Sequence, residues 1–193
     1  MTFFADLPGL LAFRTRALRS LAGRGALTAG VVIFSVGFLA YALVRNSVYA
    51  NLPEVLAQRS GPIGSFFDLE LLQVILFLMV IYIPVEIVLS RAIAGSGFNL
   101  SISKQEYKAH SSVLLILWGL LNLIAAPLQW LVPHFLIIGM LEISVGMLVR
   151  LFLVLSYTFW SIKHLSHLST VQSLGVIALS CITFPVYYLF TSL

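Results

Sequence analysis

Glu142 and Arg150 are the only charged residues in IGMLEISVGMLVRLF, residues 138 to 152. An ionised side chain near a bilayer centre costs roughly 2.5 to 3.5 kcal/mol, so each needs a partner or a task. At about 100° per residue, Gly139, Glu142, Gly146 and Arg150 would share an arc of about 80° on a helix. Small residues on such a stripe let a second helix come close. Helical rise puts about 12 Å between Glu142 and Arg150, too far for direct contact. Glu86 follows Pro84 in another apolar run and falls at a depth similar to that of Arg150. The expectation is an ion pair between Glu86 and Arg150 on two helices. Glu142 is then left in the outer half of its span, protonated or hydrogen-bonded to Asn122. Such a set suits three roles: interhelical glue, a proton- or ion-coupled pathway, or a lipid-headgroup site.

Other constellations carry less chemistry. Gly119, Asn122 and Ala126 repeat at helical spacing and read as a packing face. His164 and His167 are three apart, but no further metal ligand is near them in sequence, so no metal site is expected. Gly95-Ser96-Gly97 lacks the lysine and preceding strand of a phosphate loop. No serine, histidine and acid spacing suggests a catalytic triad. No cofactor is implied, and no enzyme is expected.

Composition states where these residues must sit. The chain of 193 residues is 60% hydrophobic and 9% charged, far below the roughly one-quarter charged share of soluble domains. That makes it an all-α integral membrane protein. Its net charge of +4 comes from scattered bases attached to apolar runs, which set orientation rather than bind nucleic acid. Cys181 is the single cysteine, so no internal disulfide or Cys-rich metal site is available.

Apolar runs long enough for a hydrocarbon layer of about 30 Å predict five spans, near residues 26–44, 71–89, 113–131, 135–160 and 171–189. The first is too long an apolar run for a cleaved leader. Val132-Pro133-His134 predicts a tight antiparallel hairpin between the third and fourth spans. A short interfacial helix is expected around Pro53 to Gln58. Pro84, Pro127 and Pro185 predict kinks, and Trp130, Trp160, Tyr187 and Tyr188 predict interface anchors.

Basic residues orient the bundle. With a cytoplasmic amino terminus, Arg14, Arg16, Arg19, Arg24, Arg91, Lys104, Lys108 and Lys163 fall inside, and only Arg45 and Arg59 outside. An odd number of crossings then puts the carboxyl terminus outside. The sequon Asn99-Leu100-Ser101 would face the cytoplasm unmodified. Residues 1–25 form a separate segment ahead of the 26–193 membrane domain. Within it Leu10, Leu11, Phe13, Ala17, Leu18 and Leu21 oppose Arg16 and Arg19, which predicts an amphipathic interfacial helix. Arg14 interrupts its apolar stripe. Arg14, Arg16, Arg19 and Arg24 are the candidate contacts to anionic headgroups.

Two stretches carry a family resemblance. RAIAGSGFNLSISKQEYKAHSS, residues 91 to 112, and FWSIKHLSHLSTVQSLGVIAL, residues 159 to 179, resemble the second loop and the fourth-to-fifth span region of the Yip1 family. The resemblance implies five spans with a cytoplasmic amino terminus, in the manner of prokaryotic members. Eukaryotic relatives act in vesicle traffic and contact small prenylated GTPases. Asp6-Leu7-Pro8-Gly9 departs from their acidic motif by lacking its tyrosine, which argues against that contact.

Together these readings predict a non-enzymatic organiser of membrane partners or lipids, self-associating or binding other membrane proteins. It would sit in the plasma or inner membrane of a prokaryote, or in ER or Golgi of a eukaryote. A small transporter component using Glu86, Glu142 and Arg150 is the alternative, and a membrane-embedded enzyme the third.

Overall fold

The computed structural model describes the backbone of residues 3–50, 67–131, 135–138, 141–184 and 186, and the side chains of 3–44, 71–128, 148–184 and 186. Within them the chain is predominantly helical. It opens with a helical hairpin, α1 (Phe3–Leu11) and α2 (Thr15–Arg24). Phe13 takes the left-handed conformation at the turn, with φ of 54°. Gly25 does the same after α2, and its N–H reaches the carbonyls of Leu21 and Ala22. A glycine suits that cap because it has no Cβ to clash there.

The hairpin's apolar side faces protein. Leu10, Leu18 and Leu21 are fully buried in a cluster with Val113, Ile116, Leu117, Tyr157 and Trp160. Each such leucine stabilises the docked hairpin by about 1.5 to 3 kcal/mol relative to exposure. Phe13 stacks on Tyr157 at 4.1 Å and meets Trp160 edge-on at 5.4 Å, and the Tyr157 hydroxyl donates to the Leu11 carbonyl. These contacts correct two expectations. The apolar stripe of residues 1–25 is used within the protein instead of lying free for lipid, and Trp160 is a core residue instead of an interface anchor.

Among the described residues, three helical segments are long and apolar enough to cross a membrane. These are α3 (Leu27–Ala50), the composite α4 (Phe67–Phe77), π-helical turn (Leu78–Tyr82) and α5 (Ile83–Ile93), and α6 (Lys104–Leu131). They match the first three expected spans, although α6 starts well before Val113. Helices α3 and α6 run parallel, since Gly30 meets Ser112 and Leu115, Gly37 meets Gly119, and Tyr41 clusters with Ala125 and Ala126. A Cβ placed on Gly119 would sit 2.5 Å from the Ile33 carbonyl oxygen. The two backbones therefore touch, which only small residues permit.

Pro84 accounts for the π turn. The Ile83 N–H bonds to the Leu78 carbonyl, one residue beyond the α-helical partner. That leaves the Met79 carbonyl without a helical donor, since the next candidate, Pro84, has no N–H. The Tyr107 hydroxyl of α6 supplies the missing bond at 2.8 Å. The expected proline distortion is thus absorbed by one wide turn and a side chain from the neighbouring helix.

The fourth apolar run departs from expectation. Phe135–Ile138 (β1) and Leu141–Ser144 (β2) pair antiparallel, Ile137 opposite Glu142, and the helix α7 spans Val145–Leu165. Isoleucines at 137, 138 and 143 favour the extended conformation. Helix α7 runs antiparallel to α6, with the Trp118 indole N–H donating to the Thr158 hydroxyl at 2.9 Å. Helix α8 (Thr170–Cys181) begins with a capping box between Ser169 and Gln172. Its Gln172 amide also donates to the Ile93 carbonyl at the end of α5. The rest of the fifth expected span reaches residues 185 and 187–189, which lie outside the described residues. So do the hairpin at Val132 to His134, the helix around Pro53 to Gln58, and the side chains of Trp130, Tyr187 and Tyr188.

Candidate functional site: a sealed acid between two spanning helices

Helix α5 presents Ile83, Glu86, Ile87 and Ser90 on one stripe, and every one of them is buried. Opposite lies the α6 stripe of His110, Ser111, Leu114, Leu115 and Trp118. The helices are antiparallel, pinned at one end by Arg91, whose guanidinium meets the Glu106 carboxylate and donates to the Ser101 carbonyl at 2.7 Å. Four positions further from that pin along α6, His110 Nδ1 lies 3.0 Å from Glu86 Oε1. Glu86 is fully buried and His110 is 5% exposed. With the carboxylate ionised, Nδ1 carries a proton and donates it to Oε1. The second carboxylate oxygen, Oε2, is buried without a hydrogen-bond partner, as are the hydroxyls of Ser90 and Ser111.

This geometry corrects the expected Glu86 to Arg150 pair. Arg150 Nε instead donates to Asn122 Oδ1 at 2.7 Å, and its guanidinium lies 4.1 Å from the centre of the Tyr41 ring. Arg150 thus bridges α7 to α6 and α3 through an amide and an aromatic face. Asn122 accepts from Arg150 through Oδ1, and its expected bond to Glu142 involves a side chain outside the described residues. Because Glu142 is on a strand and Arg150 on a helix, the expected helical stripe of Gly139, Glu142, Gly146 and Arg150 does not form. Gly139 and the Glu142 side chain lie outside the described residues.

His110 is the residue that sequence reasoning missed. Starting the third span at Val113 left it in a loop, although it continues the stripe of Leu114, Leu117 and Leu121 at helical spacing. A histidine in phase with that stripe was the available signal.

At the pinned end the four candidate arginines, Arg14, Arg16, Arg19 and Arg24, are all exposed. Arg24 also lies 3.1 Å from Asp6, which accepts a hydrogen bond from Ser20 at 2.8 Å. His167 follows α7 with φ of 53°, so it does not share a helical face with His164. Among the described residues no three of His, Cys, Asp and Glu come together.

No protein-family model matches the sequence, and no curated protein or solved structure matches it. Nothing in these comparisons identifies a Yip1 family.

Proposed function

We propose that the chain is a Yip1-like, five-span membrane protein that organises membrane partners or lipids without catalysing a reaction. In this reading the arginine-rich end is cytoplasmic and the carboxyl terminus is outside, in a prokaryotic plasma or inner membrane. The supporting observation is the α1–α2 hairpin. A helix that inserts into a leaflet needs a free apolar face, and here Leu10, Leu18 and Leu21 are consumed by the bundle. What the hairpin offers outward is a fixed array of arginines, suited to anionic headgroups or an acidic segment of another membrane protein.

The electrostatics of the same end agree with this reading. His164, beyond the apolar part of α7, has its imidazole held below the ordinary range. Burial is the main cause, followed by the neighbouring charges of Lys163, Arg19 and His167. Such a positive field attracts anions within about 10 Å at ordinary salt.

The test is native mass spectrometry of the protein from nanodiscs holding anionic and zwitterionic lipid. Wild type should retain anionic lipid selectively, and Arg14→Gln with Arg16→Gln and Arg19→Gln should lose that selectivity. Equal retention by both proteins would defeat lipid organisation by this face. Flux into liposomes driven by pH or an ion gradient and abolished by Glu142→Gln would favour a transporter instead.

A further inference from the structure

We propose that the loop between α5 and α6, residues 94–103, inserts Phe98 and Leu100 among the headgroups and upper acyl chains of anionic lipid on the arginine-rich side, as a contact distinct from the arginines. Such insertion requires α5 and α6 to cross the bilayer, but not the lipid selectivity proposed above. Phe98 and Leu100 are 77% and 80% exposed, and they lie on a loop instead of a lipid-facing helix.

Helix length sets their depth. The second spanning segment, Leu71–Ile93, has 23 residues, and the third, Lys104–Leu128, has 25. At about 1.5 Å per residue they measure about 34 and 37 Å, against about 30 Å of hydrocarbon. With each segment centred in the bilayer, Ile93 and Lys104 stand only about 2 to 4 Å outside the hydrocarbon, within a headgroup layer about 5 to 7 Å deep. Both ends of the loop thus start among headgroups.

The second half of the loop is also tied to the helix ends. The Ser101 carbonyl accepts from Arg91 at 2.7 Å, and Arg91 belongs to the second spanning segment. The Ser101 N–H donates to Asn99 Oδ1 at 2.9 Å, and Ile102 packs against the cluster of Tyr82, Ile83 and Ile87. Leu100 is therefore held beside the helix ends and cannot rise clear of the headgroups. Ahead of Phe98, Gly95 and Gly97 take φ of 84° and 82°, and a Cβ on either would meet nothing within 4 Å. These glycines serve the bend, not packing.

Charge selects the lipid. Residues 94–105 contain no acid, Glu106 is paired with Arg91, and Lys104 and Lys108 are exposed. Apolar tips flanked by bases match an anionic interface, where the rings and aliphatic groups enter and the ammonium groups stay with the headgroups.

Spin labelling of the full chain in nanodiscs tests this. In a Cys181→Ala background, Phe98→Cys, Leu100→Cys and Ser96→Cys each provide one labelling position, all on exposed residues, so the core is untouched. In anionic lipid, the ratio of collisions with oxygen, which gathers in acyl chains, to collisions with a neutral nickel chelate, which stays in water, should be at least about threefold higher at 98 and 100 than at 96. Equal ratios at the three positions would overturn insertion. Protection from both reagents at 98 and 100 would give these side chains to a protein contact and overturn it too. Lys104→Gln with Lys108→Gln should lower the ratios in anionic lipid to those in zwitterionic lipid, and unchanged ratios would overturn the anionic preference. Insertion should persist when Arg14→Gln, Arg16→Gln and Arg19→Gln are combined, so that failure of the arginine array and failure of the loop are separate results. Its disappearance there would overturn a contact distinct from the arginines.

Discussion

Helix α6 meets its two spanning neighbours by opposite means. Against α3 it brings Gly119 onto the backbone at Ile33 and Gly37, with no room for a Cβ. Against α5 it closes a polar pair, Glu86 with His110, behind aliphatic side chains. The first contact is stable because its shape is right, backbone meeting backbone. The second carries a charge out of water, so its stability depends on a partner being present. Removal of a group should therefore hurt the α5 contact, whereas addition of a group should hurt the α3 contact.

The sharpest break is His110→Leu. It leaves Glu86 buried with neither oxygen partnered by a side chain, and loss of one member of a buried pair costs about 3 to 5 kcal/mol. Replacing both residues, with Glu86→Leu added, should recover most of that loss, because two apolar groups need no partner. Reversible unfolding in detergent measures both variants. A double variant as unstable as the single one would show that the two side chains are not coupled.

Next in size is Gly119→Ala. One methyl group meets the Ile33 carbonyl and the Phe34 amide nitrogen at 2.5 to 2.6 Å, so α3 and α6 must separate, at a cost of about 3 kcal/mol. Gly23→Ala on α2 is the matched control, since a Cβ there meets nothing within 4 Å. It should stabilise the chain by up to about 1 kcal/mol through helix propensity. If both changes had the same sign, the close crossing would not be the reason for the glycine at 119.

Much of this contrast was legible in the sequence. Apolar run length located α3, the composite second span and α6, and helical spacing marked Gly119, Asn122 and Ala126 as an interior face. Glu86 was identified as an intramembrane group needing a partner. The partner itself was not legible, because hydropathy trims polar residues from helix ends and so removed His110 from the helix that carries it. The fourth run misled for a related reason: a continuous apolar stretch fits strand as well as helix, and residues 135–144 take the extended form. Likewise the stripe of residues 10 to 21 has the same amphipathic pattern whether it faces lipid or protein. Only the packing of Leu10, Leu18 and Leu21 on α6 and α7 distinguishes the two.

The Arg150 contact lies between these extremes and gives the smallest predicted effect. Arg150 is partly exposed, and Asn122 accepts its Nε hydrogen without adding charge. A hydrogen bond to a charged group is worth about 1.5 to 3 kcal/mol when buried. Partial exposure and the retained Tyr41 face should bring the cost of Asn122→Ala to about 1.5 kcal/mol. Tyr41→Leu combined with Asn122→Ala then asks whether the two supports act together. If they hold one guanidinium geometry, the double loss differs from the sum of single losses by at least about 0.5 kcal/mol. Simple additivity would mean that Asn122 and Tyr41 support Arg150 independently of one another.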